Sequence, residues 1–231
     1  MAKDRKMIKT VIFDLDGTLL NTLDTIAHYG NYALQKHGFS SVPTDMHRRF
    51  VGNGPEKLVR RLLQYCGAKE SDFSSVFSSY LEAYNAEPLF LTRPYDGIME
   101  MLSGLREKGI LVGILSNKQD EAVTKTVLHF FKGYVDFIRG SMPGVPLKPA
   151  PDAVFDAMAY LRAEKLSTLF VGDTAVDIET GKNAGIRTVG CSWGFRGREE
   201  LMAAGADHIA DTPAEILTLI GVENDGTKED R

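Results

Sequence analysis

The chain has 231 residues, enough for one large domain or for a core with a smaller insertion, and its 43% hydrophobic content excludes global disorder. A net charge of −4, with no dominant basic block, disfavours nucleic acid as a partner. No run of about 18 apolar residues occurs, and Met1 to Lys6 is short and charged, so neither a membrane span nor a signal peptide is expected.

In chain order, Val11-Ile12-Phe13 is an apolar run that stops at Asp14-Leu15-Asp16-Gly17, the pattern of a buried parallel strand with a polar end. Thr22 to His37 carries apolar residues at helical spacing and stops at Gly38. A short helix is predicted around Met46 to Val51, then a Gly52-Asn53-Gly54-Pro55 turn. Glu56 to Tyr65 and Ser71 to Asn85 are two more predicted helices. Nothing in this region alternates like a strand, so an all-helical block follows the first strand. Pro88 to Pro94 reads as an extended return linker.

Beyond it, strands and helices alternate. Strands are predicted at Ile110 to Leu115, Val135 to Ile138, Thr168 to Val171, Ile186 to Gly190 and His208 to Ala210. Helices are predicted at Ile98 to Glu107, Asp120 to Phe131, Asp152 to Leu161, Ala175 to Asn183, Arg198 to Ala204 and Pro213 to Ile220. Arg139 to Pro146 reads as a Gly/Pro loop and Val222 to Arg231 as a polar tail. The alternation predicts an α/β fold, a doubly wound parallel sheet with helices on both faces. Ligands of such sheets sit beyond the carboxyl ends of the strands, where Asp14, Ser116 and Asp173 all fall.

Two carboxylates as close as Asp14 and Asp16 repel unless a cation balances them, and hard oxygen donors suit magnesium. The pentapeptide Asp14-Leu15-Asp16-Gly17-Thr18 resembles the first motif of the haloacid dehalogenase superfamily of phosphotransferases. Three later stretches resemble its remaining motifs, in order: Ile114-Leu115-Ser116-Asn117, Leu147-Lys148-Pro149-Ala150-Pro151, and Gly172-Asp173 followed by Asp177. The resemblance implies a Rossmann-like core made of residues 1–21 and 91–231, with an inserted all-helical cap at 22–90.

It also implies the division of labour. Asp14 is the expected nucleophile and Asp16 the general acid/base. Ser116 and Asn117 would hold phosphoryl oxygens, and Lys148 would offset charge on Asp14 and the phosphoryl group. A Mg2+ ion is expected on Asp14, Asp16 and Asp173, with Asp177 reaching the site or bracing Lys148.

An acid at position 16 argues against the dehalogenases and phosphonate hydrolases of the superfamily. The Phe50-Val51-Gly52-Asn53-Gly54-Pro55 stretch is similar to a loop in the cap of phosphoglycolate phosphatases. A phosphatase of a small phosphorylated metabolite is therefore expected, with Arg49, Gly52 and Asn53 as substrate-binding candidates. A sugar phosphomutase of the β-phosphoglucomutase type is the alternative. Cys66 and Cys191 lie far apart without metal-ligand spacing, which suits a reducing, cytoplasmic setting with both as packing residues. The five histidines are scattered and are expected to pack or face solvent, Trp193 to cover the crevice edge or the core, and the aromatics from Phe73 to Tyr84 to fill the helical block.

Overall fold

The computed structural model describes residues 7–224. Its central strand is Thr10–Phe13 (β1), in which every residue is buried. Strands flank it on both sides, so both its faces and both its edges are covered. That is why its sequence is a continuous β-branched and aromatic run rather than an alternation.

From β1 the chain turns through Asp14 to Leu19 into a two-residue strand, Leu20–Asn21 (β2). Four helices follow: Leu23–Lys36 (α1), Thr44–Phe50 (α2), Pro55–Tyr65 (α3) and Phe73–Ala86 (α4). The chain returns through Arg93–Pro94 (β3), which pairs antiparallel with β2. The rest of the predicted extended linker is mostly turn, with Leu91 in the left-handed region at φ 57°. The four helices share an apolar cluster of their own, built around Leu34, Leu58, Leu62, Val76 and Tyr80. Phe195, from a loop of the α/β part, inserts into it.

The α/β part continues as Ile98–Glu107 (α5), Leu111–Gln119 (β4), Asp120–Phe130 (α6), Phe137–Ser141 (β5) and Asp152–Leu161 (α7). Then come Thr168–Gly172 (β6), Ala175–Ala184 (α8), Arg187–Cys191 (β7), Arg198–Ala203 (α9), His208–Ala210 (β8) and Pro213–Asn224 (α10). The sheet is parallel with order β5-β4-β1-β6-β7-β8, a doubly wound α/β fold. Alternation along each strand decides which helices it meets. Val11 and Phe13 share a cluster with Leu102, Leu105, Val123 and Ile216 from α5, α6 and α10. Ile12 and Phe170 point the other way, to Val154 and Ala157 of α7 and Ala184 of α8. Burying side chains of this size stabilises by about 1.5–3 kcal/mol each.

Register positions the chemistry. Phe13 lies beside Ile114 and Val171, so Asp14, Leu115 and Gly172 come level with one another across β1, β4 and β6. Asp14, Leu115-Ser116 and Gly172-Asp173 therefore emerge on one rim of the sheet.

Three boundaries differ from the sequence expectation. β4 runs on to Gln119 rather than ending at Leu115, with a register irregularity against β5. β5 begins at Phe137 and takes in Arg139-Gly140-Ser141, the start of the predicted Gly/Pro loop. Gly140 belongs to a strand for a steric reason: a Cβ there would lie 2.4 Å from the Asp120 Cα. Its N–H donates to Asp120 Oδ1 at 2.7 Å, tying β5 to the start of α6. The last helix extends past Ile220 to Asn224, and the rest of the expected polar tail, like Met1 to Lys6, lies outside the described residues. Among the described residues no helix is long and apolar enough to cross a membrane.

Candidate active site

Three carboxylates and one ammonium meet on the rim. Lys148 Nζ donates to Asp14 Oδ1 and to Asp177 Oδ1, each at 2.6 Å, and all three residues are buried. One ligand oxygen from each of Asp14, Asp173 and Asp177 lies within 4.8 Å of the others. Asp173 is fully buried, its Oδ1 accepting from Thr18 Oγ1 at 3.1 Å and its Oδ2 from the Phe195 N–H at 2.7 Å.

Local sequence explains how the acids come so close. Asp177 is the third residue of α8, and its Oδ2 accepts from the Thr174 N–H at 3.0 Å and Thr174 Oγ1 at 2.8 Å. This capping box folds the carboxylate back over the end of β6. Gly172 leaves room for it, since a Cβ at that position would sit 2.2 Å from the Asp177 Cβ. Gly17, at φ +93°, does the same for Asp173: a Cβ would lie 2.4 Å from Oδ2.

Asn117 fixes the lysine. Its Oδ1 accepts from the Lys148 N–H at 2.8 Å, and its Nδ2 donates to the Lys148 carbonyl at 3.1 Å. Both functions of the amide are thereby engaged with one residue's backbone, so Asn117 serves to aim Lys148. Its Nδ2 also donates to the Gly52 carbonyl at 3.4 Å, which joins the α2–α3 loop to the rim.

The electrostatics show a surplus of negative charge. Burial pushes Asp14 up to about 7; Asp177 and Asp16 push the same way, and Lys148 opposes them. Burial likewise raises Asp173, helped by Asp177 and Asp14 and resisted by the bonds from Phe195 and Thr18. For Lys148, burial would favour the neutral amine, but Asp14 and Asp177 outweigh it and hold the ammonium charged. One fixed cation thus faces three acids. Their oxygens are hard donors converging on one point, and the unrelieved repulsion among them is what a bound divalent cation removes; Mg2+ fits this set.

Asp16 stands apart from that group. Its Oδ1 receives Lys118 Nζ at 3.4 Å, on the wall of the cleft. Where the resemblance implied Mg2+ on Asp14, Asp16 and Asp173, the side-chain oxygens that converge are those of Asp14, Asp173 and Asp177. Asp16 takes part in a bridge to Leu20, in the tight turn that leads away from β1.

A cleft opens over the rim. Its polar end holds Asp14, Asp16, Ser116 and Lys148, and Leu58, Tyr80 and Tyr84 from the helical layer form its far wall. Ser116 Oγ accepts from the Lys118 N–H at 3.2 Å. Gly52 lines the cleft, at φ +108°. Arg49 and Asn53 are not among the lining residues: Arg49 is exposed on α2, and Asn53 Oδ1 accepts from Arg61 Nη2 at 2.9 Å. Trp193 packs against the core of the sheet rather than lining the cleft, and its Nε1 donates to the Thr18 carbonyl at 2.9 Å.

Thr18, Lys118, Phe195 and Tyr84 went unselected by sequence reasoning. Thr18 carried a usable signal, as the hydroxyl closing the Asp-x-Asp-Gly-Thr pattern. Tyr84 carried none that separated it from the other aromatics of its helix.

Comparison with known proteins agrees with this geometry. A family model described as haloacid dehalogenase-like hydrolase matches residues 11–191. A phosphoglycolate phosphatase of Aquifex aeolicus is 30% identical, with 92% of this chain and 97% of that protein covered. An N-acetylmuramic acid 6-phosphate phosphatase of Pseudomonas aeruginosa is 28% identical over 94% of this chain and 96% of that protein. The crystal structure of a candidate phosphoglycolate phosphatase from Lactobacillus delbrueckii subsp. bulgaricus superposes with a TM-score of 0.89 at 28% identity, covering 93% of this chain and 99% of that one. With the family match spanning both the rim and the helical layer, the chain belongs to the haloacid dehalogenase-like hydrolases.

Proposed function

We propose that this chain is a magnesium-dependent phosphatase that hydrolyses a small phosphate monoester through an aspartyl phosphate on Asp14. The observation that carries it is the buried group of Asp14, Asp173, Asp177 and Lys148 at the closed end of the cleft. Asp14 attacks phosphorus, a bond forms from its carboxylate oxygen, and the bond to the leaving alcohol breaks. Asp16, on the cleft wall beside Lys118, gives the departing oxygen its proton. It then takes a proton from the water that attacks the aspartyl phosphate, which releases phosphate and restores Asp14. Lys148 faces the charge that builds up next to Asp14, and Ser116 offers its hydroxyl to a phosphoryl oxygen.

The Asp14 and Asp173 carboxylates would hold Mg2+, whose chemistry there is to neutralise charge between the nucleophile and the phosphoryl oxygens. Helices α1–α4, within residues 22–90, act as a cap over a core of 1–21 and 91–231. Phosphoglycolate, named for several relatives, is the substrate with which testing begins. Phosphate release is measured with magnesium and with chelator for the wild-type chain and Asp14→Asn. The variant is expected to lose about a thousand-fold or more in kcat while remaining folded. Undiminished turnover by it removes Asp14 as nucleophile.

A further inference from the structure

The α2–α3 loop lines the cleft through Val51, Gly52 and Gly54, so whatever fixes the end of α2 fixes one wall of the site. A helix leaves its last carbonyls without partners of its own, and they carry its partial negative charge. In α2 these carbonyls are met from three directions. The His47 carbonyl accepts from the Val51 N–H at 3.1 Å. The Phe50 carbonyl accepts from Arg61 Nη1 at 2.6 Å, within the helical layer. The Arg48 and Arg49 carbonyls accept from Arg196, a residue of the α/β part, through Nη1 and through Nη2 at 2.9 Å respectively. Arg196 Nη2 also donates to the Val51 carbonyl at 3.2 Å. One guanidinium from the opposite layer thus holds three backbone carbonyls at the end of α2.

The base of this grip is fixed to the acids. Gly194 packs where a Cβ would lie 2.2 Å from the Asp173 Cβ and 2.4 Å from the Gly17 carbonyl oxygen. Phe195 gives its N–H to Asp173 Oδ2 and its ring to the apolar cluster of the helical layer. Arg196 comes next, its side chain 16% exposed. Its Nε donates to Glu200 Oε2 at 3.2 Å, and Glu200 Oε1 accepts from the Ala175 N–H at the start of α8 at 3.3 Å. Two consecutive residues therefore refer the position of α2 to the Asp173 carboxylate. The geometry needs a planar fork of donors, which arginine has and the single ammonium of lysine lacks.

We infer that Arg196 is a positioning residue of the reaction: it holds the end of α2, and with it the Val51-Gly52 wall of the cleft, at a fixed place relative to Asp173. It touches no reacting atom. Its three acceptors are main-chain, so the side chains of Arg48, Arg49 and Val51 take no part in the grip. The inference rests on the phosphatase reading above, in which the helical layer is a cap, and names the residue that seats this cap on the acids.

The test compares the full wild-type chain with Arg196→Ala and Arg196→Lys in two ways. The first measures kcat and KM with magnesium on p-nitrophenyl phosphate and phosphoglycolate. A contact made equally in the bound substrate and in the transition state acts on KM alone, so Arg196→Ala is expected to raise KM by about ten-fold or more and to change kcat by less than about three-fold. The second measures hydrogen-exchange protection in the metal-free chain, in α2 and, for reference, in α5. Protection in α2 is expected to fall by about ten-fold or more in Arg196→Ala while that of α5 holds. Arg196→Lys, which keeps the charge and loses the fork, is expected to lie between the alanine variant and the wild type in both measurements. A KM within about two-fold of the wild type overturns the inference, as does a loss of α2 protection that α5 shares equally. A wild-type chain that turns over neither ester removes the phosphatase reading instead, and the exchange of α2 then decides the placement by Arg196 on its own.

Discussion

Replacing Lys148 by Met tests the charge balance on which the site depends. The ammonium makes two 2.6 Å contacts with carboxylates and its side chain is 5% exposed. Methionine keeps much of the volume and removes the charge. Breaking a buried ion pair from one side costs about 3–5 kcal/mol, because the partner charge stays behind unpaired. For a chain of this size that corresponds to a fall in melting temperature of about 6–20 °C. The loss must also depend on pH. Asp14 has an ordinary value of 3.8 and sits at about 7 in the folded, metal-free chain. Between those values the folded state binds a proton that the unfolded state has released, so metal-free stability falls as pH rises from about 4 to 7. At pH 5 Asp14 carries its proton and needs little counter-charge; at pH 8 it is ionised and needs Lys148. The destabilisation by Lys148→Met is therefore expected to be larger at pH 8 than at pH 5. Saturating magnesium should shrink it, since a cation supplies the counter-charge that the variant has lost and so binds the folded variant more tightly than the folded wild type. Thermal and urea unfolding at both pH values, with chelator and with magnesium, measure all of this. An equal loss at pH 5 and pH 8 that magnesium leaves untouched refutes the charge argument.

Two further outcomes follow from single contacts. Asn117→Ala leaves the buried Lys148 N–H without its acceptor and is expected to cost about 1–3 kcal/mol in unfolding experiments. It should lower kcat more than it raises KM, and Asn117→Asp, which keeps the acceptor, should recover part of the stability. His47 lies fully buried against Gly30, its Nδ1 facing the Pro43 carbonyl at 3.1 Å and its Nε2 without a partner. Burial lowers its pKa, so the unfolded chain takes up the proton first; the stability it permits is present above about pH 6.5 and lost as pH falls. Hydrogen-exchange protection factors in α1–α3, taken against the intrinsic rate at each pH, should fall between pH 7.5 and pH 5 in the wild type and less so in His47→Leu.

The central strand was plain in the sequence because both its faces and edges are covered, which leaves Val11-Ile12-Phe13 no reason to alternate. The ends of β1 and β6 were equally plain, because each apolar run stops at or just before its first carboxylate. Those signals are local. What escaped detection depends on contacts between distant segments. Arg139-Gly140-Ser141 looked like loop because glycine weakens a strand, yet Gly140 is small to let β5 pass the Asp120 backbone. Asp177 was read as reaching the site or bracing Lys148, but the capping box that folds it back over the end of β6 shows only in the structure. The aiming of Lys148 by the Asn117 side chain was not legible, because its partner is a backbone thirty-one residues further on.

These contacts share one physical purpose. Three buried carboxylates beside a single ammonium are unfavourable together, and a looser structure would let them drift apart into water. The chain prevents this with backbone that leaves no alternative. Gly17, Gly172 and Gly194 bring main chain against Asp173 and Asp177 at distances a Cβ would forbid. The cap of α8 pins Asp177, the Phe195 N–H pins Asp173, and the Asn117 amide pins Lys148. The fold's burial energy, spread over the sheet and its helices, thus holds together a charge cluster that would not assemble by itself. Under the proposed function a cation and a phosphoryl group would relieve it, which would direct the strain of the resting site at the reaction.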